Sequence, residues 1–368
     1  MKKSSQPSKY EIFLTSEAAW DAMYRAILHA QQSIYWELYI FVDDEVGRSF
    51  FDILEAKAKA GVDVKLVIDS VGSFWLSRKR VQSLKKAGVD IQFFHERTKR
   101  YRGWWKRLYS RTHRKILVID ENVGFIGGVN IQKQMKDWLD IQVCMKGKVV
   151  HSLLRAFAKS YIISGGDKKK VKQLLAYKFR IEQDETEFIY DEPNEQHRSR
   201  IRKKYTEALF KARERVILFS PYYFPDKKFL YALWQARKRG IKVDLLIPYR
   251  SDIRLTNYVA FTFFNLMHKR GVDIHFTNKM MHGKGVIVDD DWAMVGSSNI
   301  EQAGFYDNYE ANVRIKDKKV VKKLKRKILQ WLQESSKFDK QCFKQRGKWH
   351  KANEWLALKI FRLWHGKK

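Results

Sequence analysis

The sequence predicts an α/β fold built from two similar α/β halves related by pseudo-twofold symmetry. Two observations predict it. Laid against itself, the 368-residue chain repeats four blocks in the same order, the mark of an internal duplication. Each unit also alternates amphipathic helices with short β-branched runs such as VDVKLVID and KVDLLIP. That alternation belongs to a buried mixed or parallel sheet covered by helices.

The blocks can be followed along the chain. AILHAQQSIYWELYIF is answered by ALFKARERVILFSPYYF. AKAKAGVDVKLVID is answered by QARKRGIKVDLLIP, each a helix end, a turn glycine (Gly61, Gly240) and an apolar strand. AGVDIQFF matches RGVDIHFT, and HRKILVIDENVGFIGGVNI matches HGKGVIVDDDWAMVGSSNI. These matches set the halves at residues 10–164 and 201–335. The polar stretch 165–200, with KKKVK and EQDETEF, reads as a connector, and 336–368 as a basic amphipathic tail. The first half has one insert before its last block, TKRYRGWWKRLYSR. It either folds back onto its own core or presents Trp104, Trp105 and Tyr109 as a membrane-contact loop, the reading its basic and aromatic content favours.

Composition narrows the partners. A formal net charge of +32 attracts polyanions, either nucleic acid or an anionic lipid surface. Cys144 and Cys342 are the two cysteines, too few for a disulfide framework or a metal-ligand spacing. The N-terminus, MKKSSQPSKYEIFL, carries no apolar core of a secretory signal. The most apolar stretch, around Val259–Met267, falls far short of the roughly 20 residues a spanning helix needs.

The chemistry lies in the last repeated block. Each copy reads His-x-Lys, four residues, Asp, six residues, then Gly-Gly or Gly-Ser and an Asn. The first copy is His113, Lys115, Asp120, Gly127, Gly128 and Asn130; the second is His282, Lys284, Asp289, Gly296, Ser297 and Asn299. The His-x-Lys spacing puts both side chains on one face of a strand. An ammonium and an imidazole converging from one strand suit a phosphate, the cation on the oxygens and the ring at phosphorus. One such pair says little. Two copies with the same Asp, Gly and Asn at the same distances point to one shared phosphoryl-transfer site.

These motifs resemble the HKD signature of the phospholipase D superfamily. The resemblance covers about residues 10–335, and ELYIFVDDEVG, IDSVGS and SPYYFPD are similar to the bacterial cardiolipin synthases of the shorter type. It implies two phospholipase D-like halves around one active site, with no metal and no cofactor. One histidine forms a phosphohistidine while the other protonates the leaving alcohol. By analogy His113 is the nucleophile and His282 the acid. Lys115, Lys284, Asn130, Asn299 and Ser297 would bind the phosphate. Asp120 and Asp289 complete the catalytic motif as structural members. Asp140, in WLD, and Glu310, in NYEAN, stand at nearly equal distances beyond their own histidines, where the family places the acids that orient the imidazoles.

The motif alone leaves lipid, DNA and other diesters open. Three features favour lipid: the aromatic insert, the charge, and the segment KWHKANEWLALKIFRLWHGKK. On a helix, Trp349, Ala352, Leu356, Ile360, Leu363 and Trp364 fall on one stripe, which either docks on the core or lies in a membrane interface. The expectation is a cardiolipin synthase that takes two phosphatidylglycerols, peripheral on the cytoplasmic face of the membrane, with no required nucleic acid. A hydrolytic phospholipase D and, further off, a nuclease are the alternatives.

Overall fold

A computed structural model describes residues 10–95, 110–177, 182–183, 185–193 and 198–365. The first half runs β1 (Tyr10–Thr15), α1 (Ser16–Leu28), β2 (Ser33–Leu38), α2 (Glu45–Lys59), β3 (Asp63–Asp69), α3 (Arg78–Lys86) and β4 (Asp90–Phe94). It continues with β5 (Ile116–Ile119), β6 (Val123–Gly127), β7 (Leu139–Lys146) and α4 (His151–Ile163). After α5 (Lys172–Ala176) and β8 (Glu182–Gln183), the second half runs β9 (Thr186–Asp191), α6 (Arg200–Lys211), β10 (Arg215–Phe219), β11 (Tyr223–Phe224), α7 (Lys227–Lys238) and β12 (Lys242–Pro248). Then follow α8 (Arg254–Lys269), β13 (Asp273–Thr277), β14 (Gly285–Val288), β15 (Trp292–Gly296), β16 (Ile300–Glu301), β17 (Glu310–Ile315) and α9 (Lys318–Gln333). The chain ends in β18 (Ser336–Lys337), α10 (Lys340–Lys344) and α11 (Lys348–His365).

The duplication is visible strand by strand. The first sheet has the order β1-β7-β6-β5-β2-β3-β4, and the second contains β9-β17-β15-β14-β10-β12-β13, flanked by β8 and β18. In each, three strands are parallel (β2, β3, β4; β10, β12, β13) and the motif strands β5 and β14 run antiparallel to them. The parallel strands β2, β3, β10 and β12 are buried along nearly their whole length because helices cover the sheets. Equivalent aspartates cap equivalent helices: Asp44 accepts from Val46 N and Gly47 N at the start of α2, and Asp226 from Phe229 N at the start of α7. Gly61 and Gly240 follow these helices with φ of 88° and 82°, a left-handed turn that side chains disfavour.

Two segments depart from their sequence reading. Within the stretch read as a connector, Thr186–Asp191 forms β9, an integral strand paired antiparallel with β17 in the place β1 holds beside β7. Both of its faces are covered, Phe188 packing in the cluster that joins the halves and Ile189 in the core of the second half, but its buried Thr186, Glu187 and Asp191 and its polar flanks concealed the strand. At the C-terminus, α11 docks on α8, but with another face than the apolar stripe. Glu354 and Ala357 are buried while Trp349, Trp355 and Leu356 are exposed. Small Ala357 permits close approach, His350 packs on the rings of Tyr258 and Phe261, and Arg346 pairs with Glu354. The insert bearing Trp104, Trp105 and Tyr109 lies outside the described residues.

One apolar cluster joins the halves, drawing Ile141, Val143 and Phe157 from the first and Ile287, Val295 and Val313 from the second. Two parallel bridges cross between them, Thr112 to Tyr309 and Leu139 to Met281. Arg114 ties this junction. Fully buried, it donates to Ser160 Oγ and the Asp191 carbonyl at 3.1 Å, and to the Glu310 carbonyl at 3.3 Å. It also lies in the field of the buried Glu37 carboxyl, which burial otherwise pushes upward. We expect Arg114→Ala to lower stability by about 3–5 kcal/mol, because it strands a buried acid and two carbonyls, measurable as a lowered midpoint of denaturant unfolding.

Candidate active site

His113 and Lys115 stand at the entrance to β5, and His282 and Lys284 at the entrance to β14; all four are buried. The bridges between the halves bring the acids to them crosswise. His113 N donates to the Tyr309 carbonyl at 2.9 Å, which sets Glu310, the next residue, against the ring: His113 Nδ1 lies 3.0 Å from Glu310 Oε1. His282 N donates to the Leu139 carbonyl at 2.6 Å, and His282 Nδ1 lies 2.7 Å from Asp140 Oδ2. Each half supplies a histidine to itself and a carboxylate to its partner. A donated Nδ1–H leaves Nε2 unprotonated, the tautomer a nucleophile needs.

The electrostatics agree with this tautomer. Burial, opposed by Glu310, pushes His113 down to about 4. Burial also lowers His282, assisted by Lys284. Burial tends to raise Glu310 and Asp140, yet each ends below the carboxylate range because its histidine and a lysine hold it ionised. Burial lowers Lys115 strongly, with Lys284 adding repulsion, and brings Lys284 to about 8. Two lysines that feel each other, and histidines that each feel the opposite lysine, mark one site. The buried carboxylates only partly offset the lowering of the two lysines, which suits the site to an anionic phosphodiester.

The other motif residues are placed as follows. Asp120 is not at the reacting centre: its carboxylate accepts from the backbone of Gln31, Gln32 and Ser33. Asp289 does the same for Arg213, Glu214 and Arg215. Both clamp the loop entering the neighbouring strand. Ser297, expected on phosphate, donates to Glu310 and accepts from Ala311 N at 3.0 Å. The glycine at the corresponding position, Gly128, leaves room for the Asp140 carboxylate, which a Cβ there would meet at 2.2 Å. Asn130 Oδ1 accepts from Ile40 N at 3.2 Å, whereas Asn299 Nδ2 donates to Glu301 at 2.9 Å.

Several residues around the site carried no role in the sequence reading. Tyr39 stacks edge-on against His113 with ring centres 4.9 Å apart, and Lys115 Nζ lies 5.1 Å from its ring centre. Asp69 receives the buried Arg111 at 2.8 Å and the amide of Thr112 at 3.2 Å, bracing the residues just before His113. Tyr222 donates to Asp252 at 2.8 Å. Tyr39 and Tyr222 fall within strings shared by the halves, ELYIF and SPYYF, which was the only available signal.

Comparison with known proteins follows the same lines. Residues 23–161 and 205–332 match the family described as "Cardiolipin synthase, PLD-like domain". Cardiolipin synthase B of Escherichia coli K12 is 31% identical over 319 residues, 84% of this chain and 77% of that protein. Cardiolipin synthase 2 of Bacillus cereus is 33% identical over 342 residues, 89% of this chain and 66% of that protein. Phosphatidylserine synthase of Haemophilus influenzae superposes with a TM-score of 0.75 at 12% identity, over 98% of this chain and 95% of that one. That last likeness is one of fold.

Lys284 is cationic below its pKa and neutral above it, so phosphate binding is full at lower pH and is lost as pH rises through about 8. A pH profile of kcat/KM on a phosphodiester substrate should therefore bend downward on that alkaline side.

Proposed function

Because the chain belongs to the cardiolipin synthase family of phospholipase D-like proteins, we propose that it is a phosphatidyltransferase that converts two phosphatidylglycerols into cardiolipin and glycerol. The observation that supports this most directly is the pair of crossed histidine–carboxylate contacts beside two buried lysines. In the first step His113 Nε2 attacks phosphorus of one lipid. The bond to the head-group oxygen breaks, and His282 gives its proton to the departing glycerol. Entry of the anionic diester raises the proton affinity of His282 and so equips it as the acid. In the second step a head-group hydroxyl of another phosphatidylglycerol passes its proton to His282 as its oxygen attacks phosphorus, and the bond to His113 breaks. Lys115 and Lys284, with the amides of Asn130 and Asn299, hold the non-bridging oxygens through both steps. Glu310 orients His113, and Asp140 orients His282.

The reading includes a peripheral position on the cytoplasmic face of the cell membrane, with an anionic phospholipid surface as partner and no nucleic acid required. Among the described residues no helix is long and apolar enough to cross a membrane. Apolar side chains are exposed on the turns that follow equivalent strands in the two halves: Phe74 and Trp75 beyond β3, Tyr249 and Ile253 beyond β12. Both turns border the site, the first through Asp69 and Arg111, the second through Asp252 and Tyr222. Exposed lysines of α9, among them Lys319, Lys322 and Lys323, add attraction to an anionic leaflet. A mouth pressed against lipid would exclude the water that competes with the acceptor alcohol.

With phosphatidylglycerol vesicles in excess EDTA, lipid mass spectrometry should find cardiolipin and free glycerol. Phosphatidic acid as the sole product would instead make the protein a hydrolase. His113→Ala and His282→Ala should each lower kcat by about three orders of magnitude or more. The double substitution Phe74→Ala, Trp75→Ala should weaken sedimentation with anionic vesicles by about tenfold, because two large apolar side chains leave the interface.

A further inference from the structure

The two half-sites are also unequal beside Asn299. Two residues beyond Asn299 stands Glu301, where the first half has Gln132 beyond Asn130. Four residues before the capping Asp226 stands Tyr222, where the first half has Ile40 before the capping Asp44. The second half therefore carries a carboxyl and a phenol where the first carries an amide and an alkyl group. Around them lie Asp252, bonded to the Tyr222 hydroxyl at 2.8 Å, and Asn299, bonded to Glu301 at 2.9 Å. Tyr222 feels the charge of both Asp252 and Glu301, and so does Lys284, so the four side chains gather beside the catalytic lysine.

Their hydrogen-bonding capacity is lopsided. Asn299 is only 3% exposed, and its Oδ1 has no hydrogen-bond partner. Glu301, partly open to the outside, has one oxygen taken by Asn299. Asp252 accepts from the Tyr222 hydroxyl with both oxygens and from Ser251 Oγ at 3.1 Å with one, and retains further lone pairs. The cluster thus offers acceptors and calls for a ligand that donates several hydrogen bonds. A buried acceptor left without a donor is costly, so an occupant with matching hydroxyls is favoured. The adjacent Lys284 disfavours a cationic occupant. Burial holds Glu301 near 7, between its neutral and ionised forms, which lets it face an uncharged hydroxyl group as acceptor or donor.

We propose that Tyr222, Asp252, Asn299 and Glu301 form a subsite for the vicinal diol of a glycerol head group, on the side of the site where alcohols leave and enter. The inference rests on the transferase reading above. In that reaction the departing glycerol and the attacking head group meet the same acid–base histidine, so one polyol subsite serves both steps. It selects the acceptor: a head group held by its second hydroxyl presents the terminal one to phosphorus, and water gains nothing from these acceptors.

The test uses the full chain with phosphatidylglycerol vesicles as donor and three soluble acceptors, deuterated glycerol, 1-propanol and ethanolamine, with products separated by mass spectrometry. The wild-type protein should prefer glycerol over 1-propanol. Glu301→Gln, which makes the second half resemble the first, should raise KM for glycerol by about tenfold, the loss of one hydrogen bond to a charged group, with KM for 1-propanol little changed. Tyr222→Phe should shift the same ratio in the same direction. The subsite is overturned if the variants weaken glycerol and 1-propanol equally, if the wild type shows no preference for glycerol, or if ethanolamine is the best acceptor. Each of those results leaves phosphatidyl transfer itself intact. Absence of transfer to every acceptor by the wild type strikes the transferase reading first, and the subsite with it.

Discussion

The hydrogen bond from each histidine to a carboxylate of the opposite half is the constraint on which the rest of the structure depends. His113 needs Glu310 and His282 needs Asp140, so neither half holds a complete site alone. The bridges from Thr112 to Tyr309 and from Leu139 to Met281 are the backbone expression of that dependence. They fix the register of one half on the other to a single residue, because a slip by one would turn each acid away from its imidazole. Arg114, reaching from the first half to the Glu310 and Asp191 carbonyls, locks the same register from behind.

Burial gives this arrangement its chemical value and its cost. Lys115, Lys284, Asp140 and Glu310 are all buried, and charges withdrawn from water are destabilising unless they are paired and hydrogen-bonded. The site meets this by interleaving: each histidine is neutral and donates to an ionised acid, and each lysine donates to the carbonyl of its own histidine. The lysines stay short of full compensation, visible in their lowered proton affinity. An entering phosphodiester adds negative charge beside the two lysines, so the binding of substrate offsets a cost that the fold maintains by packing around them.

Symmetry carries the common chemistry, and its breaking carries the division of labour. The motif aspartates clamp equivalent loops, and the capping aspartates start equivalent helices. Against that background Gly128 faces Ser297, and a short Asp140 faces a longer Glu310. The pairs are matched: the glycine leaves space for the acid that lies close, while the serine hydroxyl steadies the acid that reaches further. Glu301 and Tyr222 break the symmetry again on the side where the alcohols pass.

What the sequence by itself determined is whatever repeats along the chain. The duplication, the α/β layers, the two His-x-Lys motifs, and the carboxylates Asp140 and Glu310 are all legible because periodicity and spacing are properties of a single strand or helix. Tertiary structure alone decided which acid serves which histidine, since that pairing joins residues 142 and 197 positions apart through backbone bridges that no local pattern encodes. It also decided that Ser297 holds the Glu310 carboxylate, and that Asp120 and Asp289 serve the backbone. Their side chains have several partners within reach in principle, and only the packed neighbours select one. The polar strand β9 and the docked face of α11 belong to the same class. Composition marks a segment as polar or amphipathic, but the surface that receives it determines which side is buried.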